Sequence, residues 1–441
     1  MEKLGILIAS GEMPDVFNSE GIEGAREQYS KWIKEGLILS ISDYADKYPN
    51  LNKTLKQFDL LKIQTGGKHY GLPVKMQYYS NTTAVNEHTM FIRKDWLDNL
   101  GLSLPTDVDE FYNVLKKFTY DDPDKNGKDD TYGLTSAKDG IQPMYQVFNL
   151  FDASTGRFEK IDEKWVPEVI SNEMKEALAF VKKLYDEKIL DPEFAANEYE
   201  KMLDKFYKGK SGVFPGNSVL YNDFYNSLKQ LYPEKDPKSI FTWIPPMKGK
   251  NGQKRLDGYG SYWLTTNINA KIGDTKINKA LELLDYLSSD EGFNLVSWGI
   301  EGIHYKKEGD TFVNLLPKDE NGNQKQIGDI DSSYVIRTFT TWATDFFPPT
   351  TPNVTDLLKC RQDSMNAAKE DPLNFLYIED QSFDNTIPQK LLSYVTEEFV
   401  NIIMNSKDFN NDWDKFVKSW LEKGGQQYID AINIQAQKDG R

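Results

Sequence analysis

Helical stripes and short β-like runs alternate along the whole chain, and that alternation leaves few architectures open. Tyr29, Trp32, Ile33 and Leu37 fall at i, i+3, i+4 and i+8. Met174, Ala177, Leu178, Val181, Leu184 and Tyr185 form a longer stripe, as do Ala280, Leu283, Leu284 and Leu287. Apolar residues at this spacing line one face of a helix, which then has to be covered. Thr106 before Asp109 and the run Phe111, Val114, Leu115, Phe118 reads as a capped helix start. Between such helices stand β-like runs at 89–92, 212–214, 241–244 and 261–265. Strands alternating with helices of about 10–15 residues belong to α/β folds. No internal repeat or low-complexity stretch interrupts the 441 residues. The two or three domains expected at this length are therefore joined by ordered crossings, not tethers. The close is helical, with Trp413, Phe416, Val417, Trp420 and Leu421, a stop at Gly424-Gly425, and a last helix through Ala436.

Charge and composition narrow the function. The net charge is −15 with Lys and Arg spread along the chain, the opposite of a phosphate-backbone binder, so nucleic acid is not an expected partner. No run of about 18 apolar residues exists to span a membrane. The single cysteine, Cys360, leaves no internal disulfide, and three histidines (His69, His88, His304) are too scattered for a histidine metal site. Aromatics are abundant: 9 Trp, 24 Tyr and 24 Phe, several in loop-like contexts such as Tyr78-Tyr79 and Tyr259-Gly-Ser-Tyr262-Trp263. Most aromatics pack in cores, yet a surplus in loops suits stacking on the C–H faces of sugar rings.

The sharpest motif is Asp122-Pro-Asp124-Lys-Asn126-Gly127-Lys128-Asp-Asp130-Thr131. Oxygens at positions 1, 3, 5 and 9, a glycine at 6 and a carbonyl at 7 match the first nine places of an EF-hand loop. A hard cation wants six or seven oxygens, and the glycine allows the turn that converges them. Position 12, where an EF-hand has a bidentate glutamate, is Gly133. The loop thus reads as a structural Ca2+ staple with Asp122, Asp124, Asn126, Asp130 and the Lys128 carbonyl as ligands, the alternative being a polar turn.

Four segments in order resemble the solute-binding lipoproteins of Gram-positive carbohydrate ABC importers, the broad family of maltose- and alginate-binding proteins. They are Ala9-Ser-Gly-Glu-Met-Pro-Asp15-Val-Phe, then Tyr70-Gly-Leu-Pro73 with Met90-Phe-Ile-Arg-Lys-Asp-Trp96-Leu-Asp-Asn-Leu-Gly101, then 122–133, and last Leu284-Asp-Tyr-Leu-Ser-Ser-Asp-Glu-Gly292 with Trp298-Gly-Ile-Glu-Gly-Ile-His304-Tyr. The family's loop usually carries a glutamate where Thr131 stands, so the resemblance implies Thr131 as a sixth ligand whose hydroxyl brings no charge, and hence a weaker calcium site here. It also implies a two-lobed, type II periplasmic-binding-protein-like α/β fold with ligand between the lobes. Lobe 1 would take 1–91 and 261–301, and lobe 2 would take 92–260 and 302–441. The expected product is a monomer that captures a neutral oligosaccharide, closes by hinge bending and docks on permease subunits.

By that analogy the cleft is lined where the chain crosses between lobes. Candidates are Tyr78 and Tyr79 at the first crossing, Asn217 and Tyr221 after the 212–214 run, and Tyr259, Tyr262 and Trp263 at the second crossing. Trp298, Glu301 and His304 stand at the third, with Trp342 and Asp345 beyond. Trp and Tyr would stack on sugar faces while Asn217, Glu301 and Asp345 fork onto hydroxyls; His304 could instead buttress its crossing. Two other classes stay open, a secreted carbohydrate-active enzyme and a calcium-dependent cell-surface lectin. No nucleophile elbow, phosphate loop or metal-hydrolase motif speaks for catalysis. Residues 2–9 have helical spacing with no strand before them. Roughly 50–100 further residues are expected upstream, with a first strand, a signal peptide and a lipidated cysteine anchoring the protein outside the cell.

Overall fold

The computed structural model describes residues 2–20, 29, 31–56, 67–75, 84–85, 88–137, 144–257, 259–260, 262–309, 311–320, 325, 327–341, 354–369, 378, 380, 382–384, 386–438 and 440–441. Seven strands build its two main sheets: β1 (Val16–Glu20), β2 (Leu72–Lys75), β3 (His88–Arg93), β4 (Tyr132–Leu134), β5 (Ser211–Asn217), β6 (Phe241–Ile244) and β7 (Tyr262–Ile268). The first sheet has the order β1-β7-β2 with both pairs antiparallel. The second has the order β4-β5-β3-β6, where β4 runs parallel to β5 and the other pairs are antiparallel.

β3 is buried at every position, as a strand covered on both faces must be. Its side chains alternate between two cores. Phe91 enters an aromatic cluster with Phe206, Phe214, Phe224 and Phe241. Met90 and Ile92 face Trp96, Phe111, Leu115 and the 174–184 stripe on the other side. That stripe was legible: Met174, Ala177, Leu178, Val181 and Leu184 are all fully buried on helix Asn172–Asp186. Helices Ile387–Asn405 and Phe409–Trp420 cover the same core with Phe399, Trp413 and Phe416. Around the first sheet, Leu51, Leu55, Leu281 and Leu284 close on Leu72 and Ile268. Phe17, Tyr29 and Trp32 pack on the other side with Leu4 and Ile8 of helix Glu2–Ala9.

Two local expectations need correction. The cap of helix Val108–Tyr120 is Asp107, whose carboxylate accepts from the Glu110 amide at 2.9 Å. Thr106 sits one place earlier and donates its backbone N–H and its hydroxyl to the Glu110 carboxylate, so the reciprocal capping contacts are spread over two residues. In helix Asp274–Leu287 the exposed Leu283 is replaced in the stripe by the buried Leu281. The buried face, Ile277, Ala280, Leu281, Leu284 and Leu287, is centred near Leu284, and Leu283, one step or about 100° round the helix, falls at its edge.

Among the described residues, chain that belongs to one sheet gives way to chain that belongs to the other at three places. The first passage lies between β2 and β3 and the second between β6 and β7. On the third, Phe339 still packs on the first core, and its carbonyl accepts from the Thr266 hydroxyl at 2.7 Å. Helix Val354–Asn366 already belongs to the second side, with Trp243 Nε1 donating to Asp363 at 3.0 Å and Cys360 Sγ 3.7 Å from Thr89 Oγ1. The third passage therefore falls after residue 341, beyond the 301/302 boundary expected from the sequence. Two-residue strands tie the passages together: Ala84–Val85 pairs with Tyr259–Gly260, and Leu256–Asp257 pairs with Ala368–Lys369.

Candidate ligand cleft and cation loop

The expected cleft residues fall into three groups. Tyr78, Tyr79, Trp342 and Asp345 lie outside the described residues. For Tyr259, Tyr262 and Trp263 the backbone is described but not the side chains: Tyr259 pairs with Val85 across the crossing, and Tyr262 and Trp263 open β7. These three thus begin where the second crossing enters the first sheet. The remaining five are described in full.

Asn217 ends β5 opposite His88, the first residue of β3. It is half-buried, and its Oδ1 accepts no hydrogen bond from the described residues. Tyr221 is a core residue: it is 2% exposed, packs on Phe91 and Phe241, and its hydroxyl lies 3.2 Å from Asp356 Oδ2. Burial and the Asp356 carboxylate push its phenol far above the usual range. Trp298, at the end of helix Asp290–Trp298, is buried against Tyr305. Glu301 is exposed and bridges to Tyr305. His304 Nδ1 accepts from the Ile300 amide at 2.9 Å, closing the turn over Gly299. A Cβ on Gly299 would meet that ring at 2.2 Å.

A buried ion network that the sequence did not announce holds the second crossing to the β3 side. Arg255, just before the Leu256–Asp257 strand, reaches Glu168 at 2.7 Å and Asp257 at 3.3 Å, and it also binds Asp152. Arg157 reaches Asp257 at 3.5 Å, while the Asp257 amide donates to Asn149. Burial outweighs the two guanidinium groups and raises the Glu168 carboxyl to about 7. His88, buried nearby, is pushed down to about 4 by desolvation, partly opposed by the Asp257 charge. An arginine and an aspartate two residues apart give no periodic signal, so nothing short of the fold reveals such a clamp.

In the 122–133 loop the expected side chains converge. Asp122 accepts from the amides of Asn126 and Gly127 at 3.0 and 2.9 Å. Asn126 Nδ2 donates to Asp124 at 2.8 Å and to Asp130 at 3.2 Å, and Gly127 turns at φ +76°. The Asp124 carboxyl is raised by burial, by its hydrogen bond to Asp122 and by the Asp130 charge. Asp130 is lowered, chiefly by Lys210. Two carboxylates accept from the Asn126 side-chain amide and a third from the backbone amides beside it, a set of hard-oxygen donors of the kind Ca2+ takes. Among the described residues no group of three or more His, Cys, Asp or Glu is already drawn together as a cage; here the Asn126 amide stands between Asp124 and Asp130. The Lys128 amide donates to Asn126 Oδ1 at 2.8 Å. Thr131 is buried and donates its hydroxyl to the Phe118 carbonyl at 2.8 Å, outside this convergence. Gly133, at position 12, has no room for a glutamate, because a Cβ there would meet the Leu115 carbonyl at 2.4 Å.

Residues 1–292 match the family model of bacterial extracellular solute-binding proteins. The chain belongs to that family. The polygalacturonan/rhamnogalacturonan-binding protein YtcQ of Bacillus subtilis (strain 168) is 27% identical over 97% of this chain and 81% of its own length. The fructooligosaccharide ABC transporter substrate-binding protein FusA of Streptococcus pneumoniae serotype 4 is 25% identical over 64% of this chain and 51% of its own. An EF-hand mutant of FusA, solved in complex with fructo-nystose, superposes with a TM-score of 0.64 at 18% identity, covering 100% of this chain and 91% of that one. The alginate-binding protein AlgQ2, solved without calcium ion, gives a TM-score of 0.70 at 16% identity, covering 99% and 88%. These likenesses fix the two-lobed α/β architecture. This is an extracellular solute-binding protein, similar over most of its length to carbohydrate-binding proteins.

Proposed function

We propose that this protein captures a neutral oligosaccharide between its lobes and delivers it to the permease subunits of an ABC importer. The similarity to YtcQ across 97% of the chain supports sugar capture for an importer, joined to the placement of Tyr259, Tyr262 and Trp263 at the second crossing; neutral cargo is supported by the similarity to the fructooligosaccharide-binding FusA and by the net charge of −15. Lobe 1 comprises 1–91 and 261–341 in this reading, and lobe 2 comprises 92–260 and 342–441. The packing of Phe339 on the first core supports extending lobe 1 past residue 301. Trp263 stacks on a sugar ring, Asn217 accepts from a hydroxyl, and the residues at 78–79, 342 and 345 complete the cleft. Glu301 and His304 shape the turn behind it, and Tyr221 stiffens the second lobe from within.

Calcium, when bound, supplies a positive centre that ties the loop's carboxylates together, and its role is structural. Asp122, Asp124, Asn126, Asp130 and the Lys128 carbonyl would hold it. The FusA structure that pairs an EF-hand mutant with a bound sugar supports separating such a loop from ligand capture. The protein acts as a monomer at the cell surface, held there by a lipid anchor, and performs no catalysis.

A second reading has a specific observation behind it. The name of YtcQ points to acidic pectic chains, whereas the net charge of −15 disfavours anionic cargo. Calorimetry against neutral fructo-, malto- and galacto-oligosaccharides and against oligogalacturonates separates the two. Heat from the neutral panel alone is expected, and a response confined to galacturonates replaces the first reading with the second. New reducing ends during incubation would mark an enzyme, and complete loss of sugar binding on chelation would mark a calcium-dependent lectin.

A further inference from the structure

We propose that Lys210 is a tethered counter-cation of the 122–133 loop, one that holds its affinity for divalent ions below what the carboxylates alone would give. The inference rests on the reading of that loop as a calcium site and deepens it. Lys210 lies 80 residues beyond Asp130 in sequence, yet its Nζ is 2.5 Å from Asp130 Oδ2. The fold puts it there by its backbone. Its amide donates to the Lys205 carbonyl at 2.7 Å, past the end of helix Tyr199–Tyr207, after a turn at Gly209 with φ +66°. Its carbonyl accepts from the Tyr132 amide at 2.9 Å, where the loop runs into β4. The backbone thus holds Lys210 beside the loop, and its ammonium pairs with Asp130.

Asp130 divides its two oxygens. Oδ1 takes the Asn126 amide inside the loop and Oδ2 takes Lys210 outside it. An ammonium is a compact point charge that cannot supply or replace the coordination of a divalent ion. Without an ion it compensates the Asp130 carboxylate. With an ion bound it remains a like charge a few ångströms away. Both side chains are partly exposed, 44% for Lys210 and 33% for Asp130, so water and salt weaken the repulsion without cancelling it. Set against a doubly charged ion and screened by water, the penalty is on the order of tenfold in affinity, shrinking as salt rises.

The test is calcium titration of the full chain by calorimetry, in low and in higher salt, with Lys210→Met, Lys210→Gln and Lys210→Arg beside the wild type. Lys210→Met and Lys210→Gln should bind calcium about tenfold tighter, the gain narrowing in higher salt, while Lys210→Arg keeps the wild-type affinity. With chelator present the two neutral variants should melt below the wild type, because the Asp130 carboxylate loses its compensation. A silent wild type with binding by Lys210→Met supports the proposal as well. Wild-type binding with equal or weaker binding by the neutral variants overturns the Lys210 inference alone, leaving Lys210 as a group that merely positions Asp130. No binding by any of the four proteins overturns the calcium reading, and the inference with it.

Discussion

The Trp298 ring packs on the ring of Tyr305, with centroids 6.2 Å apart and planes tilted by 55°. Both residues are buried, Trp298 at 8% exposure. The tryptophan thus joins helix Asp290–Trp298 to the hairpin that starts at Tyr305. Trp298→Ala is expected to cost about 3–5 kcal/mol of stability, the range for a truncated core aromatic. Urea unfolding followed by circular dichroism measures it, and an unchanged midpoint would remove Trp298 from the core.

Trp263 opens β7 beside the crossing and is the tryptophan assigned to the sugar. Trp263→Ala should weaken oligosaccharide binding by about 2–4 kcal/mol while shifting the urea midpoint far less than Trp298→Ala does. Titration of the variant with the best neutral sugar decides it. Full affinity would place the cleft elsewhere.

Chelation of calcium should lower the melting temperature, since an ion that binds only the folded loop stabilises by mass action. Asp124→Ala should abolish the calcium response. A melting curve indifferent to chelator would leave residues 122–133 as a turn.

His88 has its pKa depressed by burial to about 4, against a model-peptide value near 6.5. Its sign is fixed: between about 6.5 and 4 the unfolded chain binds the proton and the folded one does not. The contribution is present in full above pH 6.5 and is lost as pH falls through 4, amounting to about 3 kcal/mol at most. His88→Gln should flatten the wild-type loss of stability over that window. Parallel pH profiles for the two proteins would put the acid sensitivity on other groups.

What was legible followed from local repetition. The stripe from Met174 to Leu184, the helix Glu2–Ala9 and the strand Phe241–Ile244 stand where periodicity puts them. The loop was legible because its oxygens recur every second residue and Asn126 bridges Asp124 and Asp130. A tyrosine after a strand looks the same in sequence whether it lines a cleft, as expected of Tyr221, or packs on Phe91. A hydroxyl beside Asp130, expected as a ligand, gives no sign in sequence that Thr131 turns inward to Phe118. The Arg255–Glu168 contact spans 87 residues, and no spacing rule reaches that far.

The paired two-residue strands at the crossings have a mechanical consequence. Ala84–Val85 lies along Tyr259–Gly260, and Leu256–Asp257, next in the chain, lies along Ala368–Lys369. Backbone hydrogen bonds between neighbouring links oppose one sliding past the other. In the proposed hinge closure the lobes would therefore bend towards each other more readily than they shear. Cargo of different lengths would then change how far the links bend more than the direction in which they bend, so one docking geometry could report capture of any of them.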